Sequence, residues 1–242
     1  MSERNRYEAL ILAVFKNHFR KGVKEFQFER AEIETVAGEL GIKLPKNLGD
    51  LIYSFRYRRG LPDEVLATAP QGLEWVIESA GRAKYRFRLS GKSRLVPRDN
   101  RVAVKIPDST PEIIAAYALS DEQALLAKIR YNRLVDVFLG IATYSLQNHL
   151  RTTVKEMGRI DIDEVYVGVN RNGQQFVVPV QAKGGSDQLA VIQTKQDIAC
   201  CREKFPRLTC RPVSAQFMDG GVIAMLELTI EGDEVKVLEE KH

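Results

Sequence analysis

Apolar positions recur every three or four residues through YEALILAVFKNHF (7–19), which predicts an amphipathic helix. Phe26 and Phe28 then flank a short extended piece. The next run, RAEIETVAGELGI (30–42), places Ile33, Val36, Ala37 and Leu40 on one helical face, and Gly41 supplies the stop. A third helix is predicted from near Lys46 through NLGDLIYSFRYRRG, with Leu48, Leu51, Ile52 and Phe55 as its buried stripe and Gly60-Leu61-Pro62 ending it. After a polar stretch the period shortens to two. GLEWVIESAGRAKYRFRLS (72–90) reads as two strands around the turn Ser79-Ala80-Gly81.

Residues 90–111 are basic, contain three prolines and offer one short strand at RVAVKI; they are the predicted linker. Beyond them the longest helical rhythm runs from about residue 120 to 155. Ser120 is its N-cap, and Asp121 and Glu122 are in its first turn. Leu125, Ile129, Leu134, Val137, Phe138, Ile141, Leu146 and Leu150 keep the rhythm, with Gly140 as a point where it can break. Then IDIDEVYVGV is extended, Asn172-Gly173 supplies a turn, and FVVPVQAK is extended again, which makes a hairpin. A helix over 195–205 and a strand at VIAMLELTI follow. The fold class expected is α/β (α+β overall). Residues 1–92 form one domain, 93–111 a linker, and 112–242 a domain with a mixed sheet flanked by helices.

Composition narrows the setting. No apolar run reaches the roughly 18 to 20 residues of a membrane span, and the opening residues lack a signal-peptide layout. Cys200, Cys201 and Cys210 give no even disulfide framework and no CxxC spacing, so a soluble chain in a reducing cytoplasm is expected, with no membrane partner. The net charge of +4 hides an asymmetry: residues 1–105 carry 21 Lys/Arg against 13 Asp/Glu, and residues 106–242 carry 15 against 19. One part is suited to a polyanion and the other gathers carboxylates.

Three helices followed by a hairpin is an order that resembles a winged-helix domain over about residues 5–92. The resemblance implies that the third helix enters the major groove of DNA while the wing lies along the backbone or in the neighbouring groove. Lys46, Arg56, Arg58 and Arg59 are the third-helix candidates for nucleic-acid contact. On the second wing strand Arg82, Lys84, Arg86 and Arg88 alternate with Ala83, Tyr85, Phe87 and Leu89, so the four cations share one face. Their spacing of about 7 Å suits the phosphates of a nucleic-acid strand. The outer face of any antiparallel strand is often charged. Four cations without an interleaved acid, continued by Lys92, Arg94 and Arg98, favour nucleic acid.

The second hairpin carries the candidate chemistry. Its first strand opens with Asp161, Asp163 and Glu164, and its second ends in Gln181-Ala182-Lys183, followed by Gly184, Gly185 and Asp187. An acid, a hairpin and then acid-x-Lys is the pattern of the PD-(D/E)xK nuclease superfamily, which residues 146–205 resemble. With glutamine in the second acidic position, the segment is similar to the QxK variant of Mrr-type and some modification-dependent restriction endonucleases. The resemblance implies a Mg²⁺-dependent DNA endonuclease, with Mn²⁺ as a substitute metal, acting on double-stranded DNA as a homodimer, in restriction or a related defence. Asp163 would anchor the metal, with Asp161, the Gln181 amide oxygen and the Ala182 carbonyl as further ligands. Lys183 would orient the attacking water or stabilise developing charge. Gln181 removes one formal negative charge, for which Asp161, Glu164 or Glu156 could compensate. No proline precedes the acid.

The supporting candidates are Gln147 and His149, at the predicted end of the long helix, and Gln193, Gln196 and Asp197, on the helix after the lysine. A structural hydrogen bond is the better account of His149, and a solvated helix face explains Gln193, Gln196 and Asp197 about as well. Cys200, Cys201 and Cys210 read as small buried residues. The readings that compete with the nuclease are an ordinary hairpin whose lysine pairs with an acid, a nuclease-like fold that binds without cutting, a non-catalytic DNA-binding regulator and a structure-selective repair nuclease.

Overall fold

A computed structural model of the chain describes residues 3–91, 94–118, 121–155, 157–184, 187–232 and 234–242. Ser120, Glu156, Lys92 and Gly185, which the sequence reading singled out, lie outside the described residues, as does the side chain of Arg58. The chain is mixed α/β and forms two compact units, Met1–Ser93 with Lys155–Gly158 and Arg94–Val154 with Arg159–His242.

In the first unit, helix α1 (Glu3–His18) precedes strand β1 (Glu25–Glu29), helix α2 (Arg30–Glu39) and helix α3 (Leu48–Tyr53). Helix α3 continues as one π-helical turn over Ser54–Arg58. A short α4 (Asp63–Leu66) leads into β2 (Glu74–Ser79) and β3 (Lys84–Ser90). The helix starts follow from the sequence: the Glu29 amide donates to Glu32 Oε1 at the head of α2, and Asn47 Oδ1 accepts from the Gly49 amide at the head of α3. The three strands pair antiparallel in the order β1-β3-β2. Phe15, Phe28, Trp75 and Phe87 fill the core between sheet and helices. Phe15 meets Trp75 and Phe87 edge-on, with ring centres 5.3 and 5.2 Å away.

In the second unit, β4 (Arg94–Leu95), α5 (Glu112–Tyr117), α6 (Asp121–Tyr131) and α7 (Leu134–Leu139) precede strands β5 (Ala142–Val154), β6 (Gly158–Val169), β7 (Gln175–Lys183) and β8 (Leu189–Ala190). Helix α8 (Val191–Lys204) follows, then β9 (Thr209–Cys210), β10 (Val213–Phe217), β11 (Ile223–Glu231) and β12 (Glu234–Lys241). The main sheet runs β12-β11-β10-β7-β6-β5, and β9 also pairs with β7. It is mixed: β9 and β10 run parallel to β7, whereas β6–β7, β10–β11 and β11–β12 are antiparallel. Phe176, Val178, Val180 and Ala182 of β7 turn one face toward α6 and α7. The opposite face, which includes Ala224, Leu226 and Leu228 of β11, packs with Leu189 and Val191.

The helix expected to continue to residue 155 stops at Leu139, and its second half is the edge strand β5. Gly140 ends α7 with φ +66, in the left-handed region that glycine adopts freely. Beyond it, Thr143, Tyr144, Thr152, Thr153 and Val154 are β-branched or aromatic and fit a pleated strand. Leu146 and Leu150 kept a helical rhythm by coincidence, and Leu146 is exposed. Strand β6 lies close against β5 because Gly168 has no side chain: a Cβ there would stand 3.0 Å from Ile141 Cδ1 and Thr143 Cγ2.

The stretch read as a linker runs along the second unit. Leu95 is buried in the β4–β8 pair, the Arg98 amide donates to Glu240 Oε1, and Asn132 holds Asp108 and Thr110. RVAVKI has no regular structure, and Val102 and Val104 are exposed. Among the described residues no helix is long and apolar enough to cross a membrane.

Candidate active site

The β6–β7 hairpin closes through Asn170, whose side chain accepts from the Asn172 and Gln174 amides, with Gly173 at φ +78. Its register places Glu164 opposite Val180. Because side chains alternate along a strand, Asp161 and Asp163 project to the face opposite Glu164, and Gln181 and Lys183 to the face opposite Val180. Directly paired residues share a face, so the two aspartates, the glutamine and the lysine lie on the same side of the sheet.

Asp163 is fixed by its partner strand: Asp163 Oδ2 accepts from the Ala182 amide at 2.8 Å. Burial raises its pKa, while the Ala182 amide and the Lys183 charge oppose the rise. Lys183 Nζ donates to Glu122 Oε1 at 3.1 Å, and its side chain keeps only 12% of its exposure. Glu122, in the first turn of α6, also acts on Asp163 through its charge, as does His149 from β5. His149 Nε2 lies 3.2 Å from Gln123 Nε2, and His149 has φ +48 inside a strand, a left-handed turn of the backbone at an edge. Asp163, Lys183, Glu122 and His149 thus share one electrostatic neighbourhood at the end of the hairpin.

Gln181 is buried and faces α8. Its Nε2 donates to the Asp161 carbonyl at 3.1 Å and to Asp197 Oδ1 at 3.0 Å, and its Oε1 accepts from Gln193 Nε2 at 3.4 Å. Asp197 is buried, which holds its pKa well above the usual carboxylate range. Gln181, Asp197 and Gln193 thus form a buried polar layer behind the hairpin. Gln193 Oε1 is a buried acceptor without a hydrogen-bond partner among the described residues.

Several candidates are not brought into this group. Glu164 is fully buried on the other face, ion-paired to Arg130 and hydrogen-bonded by the Tyr166 hydroxyl. The Asp161 carboxylate is turned to Arg151 at 3.2 Å. Gln147 is exposed on β5. Glu122 was missed as a site residue because its place in a helix's first turn already had an explanation in the helix dipole. One strand's pattern carried no sign of its contact with Lys183.

In the first unit, the cation row meets acids supplied by the neighbouring strands. Arg86 and Arg88 both bind Glu78 on β2, each at 2.8 Å, Arg86 also lies 3.5 Å from Glu25, and Lys84 is 3.2 Å from Glu29 on β1. Strand β3 is central, so both flanks supply partners. Arg82 in the turn and Lys46 before α3 are exposed. The Arg56 guanidinium lies over Tyr57, 5.0 Å from the ring centre, and Arg59 caps the π-helical turn.

Oxygen donors dominate the candidate site. Asp163 and Glu122 give two carboxylates, and the Ala182 carbonyl belongs to the residue that fixes Asp163. Mg²⁺ keeps several waters and needs only one or two carboxylates beside a substrate phosphate, so this donor set fits it. Among the described residues there is no group of three or more His, Cys, Asp or Glu side chains arranged to hold a metal.

The raised pKa values have a consequence for stability. Between the ordinary carboxylate value of 3.8 and their raised values, Asp163 and Asp197 hold protons in the folded chain that the unfolded chain has lost. Their contribution is therefore lost as pH rises through that window. Thermal melts of the metal-free protein from about pH 4 to 8 should show the wild type losing stability relative to Asp197→Asn as pH rises. Parallel curves for the two proteins would contradict this.

Compared with known proteins, the chain matches no family model, no curated protein and no solved structure.

Proposed function

We propose that the chain is a metal-dependent DNA endonuclease of the PD-(D/E)xK type with the QxK variant, joined to a winged-helix-like DNA-binding module. The observation that carries this reading is the Asp163 carboxylate held by the Ala182 amide, with Lys183 next in the chain and Glu122 on Lys183. The order α6-α7, β5-β6-β7, α8, β10, with β10 parallel to β7, supports a restriction-endonuclease-like core. In the first unit, the β1-β3-β2 sheet with its helices supports the winged-helix reading.

Asp163, Glu122 and the Ala182 carbonyl would hold Mg²⁺, which supplies charge neutralisation at the phosphate and a more acidic water. The chain's own groups do the rest. The Ala182 amide keeps the Asp163 carboxylate in one orientation, and Glu122 keeps the Lys183 ammonium directed at the same place. Lys183 then stabilises negative charge on the phosphate as the P–O bond breaks. The amide of Gln181 is held by Asp197, Gln193 and the Asp161 carbonyl, so Gln181 braces the layer behind the site. Cutting both strands of a duplex takes two such sites, which a homodimer provides.

The test is cleavage of plain, methylated and hemimethylated duplexes and of a four-way junction, with Mg²⁺ or Mn²⁺ and with chelator. Chelator-sensitive cutting of a duplex supports the restriction-type reading, and cutting confined to the junction supports a repair role. Intact substrates throughout would favour a second reading, a DNA-binding protein that does not cut. That reading is favoured by the ion pair of Lys183 with Glu122, which a purely structural hairpin would also use.

On the DNA-binding side, Glu78 competes with phosphate for Arg86 and Arg88. Glu78→Gln is expected to raise affinity for duplex DNA and to steepen the salt dependence of log K by about 1 to 2 units. Salt titrations of binding check this, and an unchanged slope would take the strand's cations out of the interface.

A further inference from the structure

We propose that Cys201 and Cys210 are a redox modification site, closing an intramolecular disulfide when the protein meets a small organic disulfide. The inference is independent of the chemistry assigned to Asp163. All three cysteines are free thiols. Cys201 is buried near the end of α8, Cys210 is half-buried in β9, and α8 packs on β9. The two side chains are hydrogen-bonded to each other, and this bond, before burial, pushes the Cys201 thiol up. This contact puts the two sulfurs within reach of each other for exchange.

Cys210 is also the thiol that a reagent can reach. It lines a cavity of about 320 Å³ whose walls include Phe205, Leu208, Leu228 and Ile230, with Arg202 as a cation beside them. Cys200, the neighbour of Cys201, is fully buried, and burial pushes its thiol up to about 12. Cys200 is not among the residues that line the cavity, so the reagent meets Cys210 and not Cys200.

The chemistry balances in two exchanges. Cys210 loses its proton and attacks one sulfur of the reagent RSSR. The reagent's S–S bond breaks, and one thiolate leaves and takes up a proton. Cys201 then loses its proton and attacks Cys210 Sγ in the mixed disulfide, expelling the second thiol. The protein gives up two protons and two electrons in all, and RSSR becomes two RSH.

The experiment uses the full reduced chain, treated with oxidised glutathione and then alkylated under denaturing conditions before mass analysis. The proposal predicts one disulfide within each chain, a mass loss of two hydrogens before alkylation, and a single alkylated cysteine, Cys200. Cys200→Ala should still form the bridge and Cys210→Ser should not. Three free thiols after treatment would overturn it. So would a glutathione adduct persisting on Cys210, or a bridge that survives in Cys210→Ser.

Discussion

Lys183→Ala is expected to lower cleavage of duplex DNA by about 10³-fold, the scale on which a single preorganised charge at a reacting centre acts. Affinity for the same duplex in Ca²⁺ should stay within about threefold, because one ammonium among many phosphate contacts contributes little to binding. Lys183→Arg should recover little of the rate. The half-buried ammonium fits against Glu122 as a compact point charge, whereas a guanidinium is a planar fork with other directions. Glu122→Gln weakens the hold on Lys183 and removes one of the two carboxylates that would hold Mg²⁺, and should cost at least about 10- to 100-fold. Single-turnover rates and filter binding on the same preparations separate these effects. A Lys183→Ala protein that cuts at the wild-type rate would remove the lysine from the chemistry. One that loses binding and cleavage together would make it a DNA contact.

The largest stability effect is expected on the other face of the sheet. Glu164 has no exposure and is held by Arg130 and Tyr166. Arg130→Met leaves that carboxylate buried without its cation, which should cost about 3 to 5 kcal/mol and lower the unfolding midpoint by about 10 °C. Changing Glu164→Gln in the same chain should restore most of the loss, because the uncompensated buried charge is gone. Urea unfolding of the single and double variants measures this. A single variant as stable as the wild type would mean that water or another group compensates Glu164. This also accounts for Glu164 standing outside the candidate site despite its place one residue after Asp163: it is one step along a strand and therefore on the other face.

The same alternation governs how far the sequence could be read. The β6–β7 hairpin was legible because Asn172-Gly173 marks a turn between two apolar runs, and its strand ends bring Asp163 to Ala182 and Lys183. The three helices and two strands of the first unit were legible for the same reason, since local period and stop residues carry that information. The start of β5 was not. Leucines spaced at helical intervals outweighed the threonines, and only the left-handed Gly140 decides between the two. Contacts between elements distant in the chain lay beyond local pattern altogether. Glu122 on Lys183 spans 61 positions, and Glu25, which meets Arg86, is on a strand far from β3 in the chain. Gln181 occupies the position where the nuclease resemblance implies a metal ligand, whereas Asp197 and Gln193 turn its amide toward α8.

The measurement that bears most directly on the central claim is a Mn²⁺ titration of the intact protein with uncut duplex DNA, followed by electron paramagnetic resonance, for wild type and Asp163→Asn. The account predicts a bound Mn²⁺ signal in the wild type that is lost with Asp163→Asn, together with loss of cleavage. Equal Mn²⁺ binding by the two proteins, or none by the wild type, would contradict it.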